Sequence, residues 1–218
     1  MNFTVNTFQT VCPGTHLQLD SLAPYVAFML LSVAFSAMNQ PTIVPLLVNE
    51  YIDQFDAISD KVKWVEYVRH GVMKSAVLCG TPMVINAEIA LYNGLAPEYQ
   101  SLLRTVPLNQ NGNPNVWDSR GKAFFSEVYG DQSKVKLDTI YRADPDLGYY
   151  VDEVYGNLIS DTTYLSDVET ELEVIVTLSM INIIPQLTLT SNVGASPQQI
   201  KDAQNIAKTV KQCVSKIK

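Results

Sequence analysis

Histidine and cysteine are both scarce in this chain, and each scarcity excludes a chemistry. Its 218 residues hold two histidines, His16 and His70, and three cysteines, Cys12, Cys79 and Cys213. These five provide no pair of ligand pairs of the kind a structural zinc site needs, so no metal site is expected. An odd, low cysteine count predicts no disulfide framework and fits a reducing, intracellular compartment. Charge is also thin. Charged residues make up 17% of the chain, against about 25% in an average protein. With 47% hydrophobic residues, the composition excludes a disordered chain. The net charge of −7 repels phosphate, so nucleic-acid partners are not expected. No Lys or Arg occurs in the first 19 residues, which fits neither a secretory signal nor an Arg-rich transit peptide. Cytoplasm, peroxisome and mitochondrion all stay open. Ser215, Lys216, Ile217 and Lys218 resemble a peroxisomal Ser-Lys-Leu ending displaced by one residue, which does not match as written. Glycine-rich nucleotide loops and the GxSxG turn are missing, so neither a nucleotide cofactor nor serine hydrolysis is expected.

Two long stretches lack any charge: residues 21–49 and residues 174–200. Each exceeds the roughly 20 residues that cross a bilayer. Pro41 and Pro45 interrupt the first, and Pro185 and Pro197 the second. Proline in a helix interior removes a hydrogen bond and clashes with the preceding turn. The unbroken apolar piece, residues 25–38, is too short to span. Both stretches therefore predict buried helices and no membrane span.

No segment sustains the alternation of a strand, so the chain reads as all-α. Residues 24–38 and 41–55 read as two helices. Residues 61–78 form an amphipathic helix, with Val62, Val65, Val68, Val72 and Ala76 on one face. Lys63, Glu66, Arg69, His70 and Lys74 lie on the other, where Glu66 and His70 read as a solvated i,i+4 contact. Thr81 and Pro82 mark a new helix start, and Gly94 its stop. Turn formers crowd residues 107–114 (PLNQNGNP). Residues 119–129 and 146–155 read as helices closed by the repeated tetrapeptide EVYG, whose glycines, Gly130 and Gly156, suit the left-handed conformation. Ser166 with Glu169, and Ser196 with Gln199, form capping boxes. In the last helix Ile200, Ala203, Ala207, Val210, Val214 and Ile217 step by three and four. The expected organisation is an N-terminal arm (1–20), a first helical half (21–106), a linker (107–116) and a second helical half (117–218). Each half has an uncharged helix, a turn with proline and a charged amphipathic helix, a plan that suggests internal duplication.

Three pieces resemble the carboxymuconolactone decarboxylase/AhpD-like superfamily, in its double-repeat fungal form. Residues 72–91 (VMKSAVLCGTPMVINAEIAL) are similar to the superfamily's helix, Gly-x-Pro turn and Asn-Ala helix. Glu171 and Leu172 before an apolar run are similar to its Glu-Leu helix, and residues 192–196 (NVGAS) to its next turn. The resemblance implies an AhpD-like all-α fold of two related repeats, a homo-oligomer, and thiol peroxidase or lactone decarboxylase activity. Peroxidase members use a Cys-x-x-Cys pair with an acid and a histidine. Here Ser179 and Asn182 stand at the aligned cysteines, Asp167 at the acid and Gln186 at the histidine. Serine and asparagine cannot run thiol–disulfide exchange, and glutamine cannot titrate. The expected function is a non-catalytic binding or oligomeric assembly protein, with a small-molecule ligand open. The alternative is an enzyme whose chemistry has moved to Cys79 or Glu171. Cys79 reads as a small buried residue or as a thiol near the next helix's N-terminus. Glu171 reads as a helix-dipole charge or as an acid facing an internal pocket.

Overall fold

The computed structural model describes residues 5–15, 17–109, 112–184 and 187–217. Among them every regular element is helical, so the chain is all-α. The order is α1 (Asn6–Val11), α2 (Pro24–Ala37), a 3₁₀ turn (Pro41–Ile43), α3 (Val44–Ile52), α4 (Ile58–Lys74), α5 (Ala76–Cys79), α6 (Thr81–Gly94) and α7 (Pro97–Gln100). It continues with α8 (Pro114–Tyr129), a 3₁₀ turn (Gly130–Gln132), α9 (Ser133–Ala143), α10 (Pro145–Val154), a π turn (Tyr155–Ile159), α11 (Asp167–Met180), α12 (Leu187–Asn192) and α13 (Pro197–Val214). Among the described residues no helix is long and apolar enough to cross a membrane.

Helix α2 explains the first uncharged stretch. It is buried all round from Val26 to Ala37, so no turn of it tolerates a charge. It packs on α3, α4 and α6 on one side and on α11 and α13 on the other. One large core follows, drawing on α1–α6 and on α11 and α13, with Phe8, Phe35, Leu47, Leu172 and Ile206 at its centre. A smaller cluster of Phe124, Val128, Ile159 and Val193 sits under α8.

Local chemistry sets several boundaries. Both capping boxes form, with Ser166 and Ser196 accepting from the N3 amides and Glu169 and Gln199 reaching back. Asn113 and Asp144 cap α8 and α10 with proline at the next position. At α6 the cap is Gly80, with φ of +97°, and Thr81 is already helical. The amphipathic helix breaks earlier than its pattern suggests. The Ser75 hydroxyl donates to the Val72 carbonyl at 2.7 Å, and α4 gives way to the single turn of α5. Of the two EVYG glycines, only Gly130 takes a positive φ. Gly156 lies inside the π turn and has a different duty. A Cβ on Gly121 of α8 would meet Gly156 N at 2.5 Å, so the two glycines let α8 and the π turn touch backbone to backbone.

The cysteine count does not reveal that Cys12 and Cys213 are bonded, with Cα atoms 5.2 Å apart. This one bridge ties the N-terminal arm to α13, and both sulfurs are buried. A second tie lies toward the other end of α13. Asp202 of α13 is buried, and its Oδ2 accepts from the amides of Asp20, Ser21 and Leu22 and from the Ser21 hydroxyl.

Candidate functional site

The polar stripe of α4 does not face solvent. Glu66, His70 and Lys74 recur every four residues, hence on one face, and all three are buried. The π turn, Asp161 and α11 supply the partners that cover Lys74. An ammonium has three donors, and Lys74 Nζ uses each: to Ile159 O at 2.8 Å, Asp161 O at 2.7 Å and Thr170 Oγ1 at 2.7 Å. The π turn helps. Its wider winding pairs Ser160 N with Tyr155 O and leaves Gly156 O to Arg120 Nη2 and Ile159 O to Lys74. Burial lowers Lys74 to about 8.

Glu66 is shared by two guanidinium groups. Arg69 Nη1 reaches it at 2.9 Å and Arg104 Nε at 2.8 Å, and the Arg104 amide donates at 2.9 Å. Arg69 also donates to Glu88 at 3.3 Å, yet burial pushes Glu88 up to about 7. His70 Nε2 lies 4.0 Å from Asp161 Oδ1, and Tyr164 packs edge-on against its ring. His70 Nδ1 has no hydrogen bond to another described residue. Burial first, and Lys74 second, hold His70 down at about 4, so the ring is neutral near pH 7. Burial raises Asp161, but the Thr163 hydroxyl and amide together with His70 and Arg120 bring it net below the ordinary carboxylate value.

Beyond this network lies a cavity of about 370 Å³. Val77, Leu78, Val154, Tyr155, Ile175 and Leu178 form much of its wall, and Glu171 is its acid. Glu171 is 4% exposed, and its carboxyl makes no hydrogen bond to another described residue. Burial pushes it up to about 7, against the pull of Lys74. Tyr155 donates to Tyr129 at 3.3 Å, and burial with Tyr129 raises its phenol far above the usual range. Lys136 stands at the rim, 4.7 Å above the Tyr129 ring. Glu173, two residues on, turns away from the cavity. It accepts from Thr177 at 2.5 Å and is pushed up to about 8 by complete burial. The three glutamates at this helix start are thus placed differently: Glu169 caps, Glu171 faces the cavity and Glu173 enters the core.

Cys79 is half-buried at the end of α5, with Sγ 3.7 Å from Ser75 Oγ. Burial pushes its thiol up, the opposite of what an activated nucleophile needs. Its neighbours Val77 and Leu78 line the cavity, while Cys79 does not. Ser179 is half-buried on α11, Asn182 accepts from Lys211 at 2.8 Å, and Asp167 opens α11. Gln186 lies outside the described residues. Among the described residues no group of three His, Cys, Asp or Glu side chains is placed to hold a metal.

The solvated reading of Glu66 and His70 is therefore overturned. The apolar stripe of α4 packs on the core, and its polar stripe is covered in turn, Glu66 by Arg69 and Arg104, His70 and Lys74 by residues between 159 and 170. The signal for this was the strict four-residue repeat of three ionisable groups within a helix that already has a full apolar face. Asp161 and the π turn carried no comparable signal.

The chain is similar to Peroxisomal protein 2 of Schizosaccharomyces pombe (strain 972 / ATCC 24843). The two are 26% identical over 220 residues, covering 97% of this chain and 93% of that relative. No family model matches the chain, so the likeness to the AhpD-like superfamily rests on the motifs quoted above. No solved structure matches it either.

Proposed function

We propose that this chain is a binding protein for a small, mainly apolar molecule held in the cavity beneath α11. The observation that carries the reading is Glu171, a buried carboxyl without a hydrogen-bond partner among the described residues, in an otherwise largely apolar wall. Its carboxyl is reached from the cavity, and a ligand's polar group placed against it would find a hydrogen-bonding partner in low-dielectric surroundings. Ser179 and Asn182 in place of the resembled family's cysteines, and a raised Cys79 thiol, support binding over thiol chemistry. A second reading has one specific support. A carboxyl near pH 7 suits general acid–base catalysis, so Glu171 is the residue on which an enzyme would rest. The exposed apolar side chains Leu46, Ile85, Ile89 and Tyr92 on α3 and α6 support assembly into a homo-oligomer. The relative's printed name supports a peroxisomal location, which a fluorescent tag at the N-terminus tests by co-localisation.

Native mass spectrometry of the protein purified from its own cells tests the binding reading. The expected result is a retained small molecule, absent from a Leu178→Trp variant that fills the cavity and bound at least about tenfold more weakly by Glu171→Gln. The same spectrum reports the oligomer. A chain that is bare from every preparation, and that takes up no apolar probe, overturns the reading. Turnover of the retained molecule that disappears in Glu171→Gln selects the enzyme.

A further inference from the structure

A second recess lies on the adjoining face of α10, sharing Tyr150 and Val154 with the first. Its volume is about 640 Å³. Arg69, His70, Arg104 and Asp161 form its polar end, and Met73, Val106, Leu108 and Leu158 line its apolar length. The arginine donors at the polar end are not all spent. Arg69 and Arg104 share one committed carboxylate, Glu66. Glu88 is close to half-neutral at pH 7. Asp161 lies 3.5 Å from a third guanidinium, that of Arg120. Glu153, the remaining acid of the recess, is exposed to solvent. Arg69 and Arg104 each keep an Nη2 without a hydrogen bond to another described residue, and both side chains are about one-quarter exposed, at 26% and 29%.

We infer that this recess binds a small organic acid, its carboxylate on Arg69 and Arg104 and its hydrocarbon chain along Met73, Leu108 and Leu158. Each free Nη2 offers a charged donor to one carboxylate oxygen, a stronger hydrogen bond than a neutral donor gives. The rest of the groove is apolar and open, as a chain-bearing ligand requires. The neighbouring cavity holds Glu171 and, at its rim, Lys136, and offers no pair of guanidinium groups to a carboxylate.

The test uses the full chain with octanoate as the acid and octanol as its uncharged counterpart, read by calorimetry and by imidazole NMR. Only His16 and His70 give imidazole signals, so binding beside His70 is read directly. The expected result is octanoate binding that shifts the His70 signals, at least about tenfold tighter than octanol. Arg104→Met is expected to remove that preference by weakening octanoate alone. Because Arg104→Met also disturbs Glu66, a second variant is needed. Met73→Trp fills the groove from a partly exposed position, leaves the ion pairs in place, and is expected to weaken both probes. Equal binding of acid and alcohol, an unmoved His70, or octanoate binding indifferent to both variants overturns the proposal. The last outcome would place the acid in the Glu171 cavity or elsewhere.

Discussion

Lys74 and Glu173 are both fully buried on helices that face each other, and neither leans on the other for a direct hydrogen bond. Lys74 spends its donors on two carbonyls and a hydroxyl, while Glu173 has one oxygen on Thr177 and one with no hydrogen bond among the described residues. Glu173 is accordingly raised to about 8 from 4.5. The folded chain binds a proton there that the unfolded chain releases above about pH 4.5. This contribution to stability is complete below that pH and is lost as pH rises through about 8. Lys74, lowered to about 8 from 10.5, acts in the opposite sense and in the next window up: its contribution is full above 10.5 and is lost as pH falls through about 8. Glu173→Gln keeps the Thr177 hydrogen bond and removes the ionisation. Urea unfolding between pH 5 and pH 8 should show a shallower fall in stability for this variant than for the wild type. Parallel slopes would mean that Glu173 is not the group that holds the proton.

At the scale of elements, the contact between α8 and the π turn is the most demanding in the chain. Gly121 and Gly156 meet through backbone atoms, and no flexible side chain stands between them to move aside. Gly121→Ala should therefore cost about 1–3 kcal/mol, the usual range for overpacking a tight contact, despite alanine's better helix propensity. The displacement would reach Arg120, which bonds Gly156 O and Ser160 Oγ from the adjacent position. Thermal unfolding of Gly121→Ala checks the sign, since a gain in stability would show that the two elements are not in contact. The two capping boxes were legible in the sequence, because each serine oxygen finds its donor amide three positions on, whereas the cap of α6 fell on Gly80 and not on Thr81. The π turn was not legible, because the groups that stabilise it, Lys74 and Arg120, come from helices remote in sequence.

At the scale of the whole molecule, the two ends of the chain are tied to each other. The Cys12–Cys213 bridge encloses 201 positions of sequence separation, and Asp202 holds the entry to α2. A bridge across so long a loop restricts the unfolded chain strongly, and its loss typically costs about 2–5 kcal/mol. Cys213→Ser should lower the free energy of unfolding by that amount and release the arm to proteolysis. Before reduction, the denatured wild type should alkylate once, at Cys79, and three times after reduction. Three reactive thiols without reduction would show the bridge absent. Asp202, held below its ordinary value against the pull of burial by the amides and hydroxyl of the arm and by Gln198, adds a contribution present above the unfolded carboxylate's pKa and lost in acid.

What the sequence determined by itself follows from short-range chemistry. The 3.6-residue period, the capping boxes and the absence of charge in α2 each report on one helix and its immediate surroundings, and they gave an all-α chain without a spanning helix. Glu171 was a candidate only through the resemblance of its Glu-Leu helix start, beside the plainer reading of a charge at the helix dipole. Tertiary structure alone decided which second surface of α4 is covered, since a polar stripe reads the same whether it meets water or a matched set of carbonyls and charges. It also decided that two cysteines 201 positions apart come within bonding distance, and that two recesses, one lined by Glu171 and one by Arg69 and Arg104, adjoin along α10. Pairings across such separations depend on how several helices stack at once, and no local pattern in the chain encodes that sum.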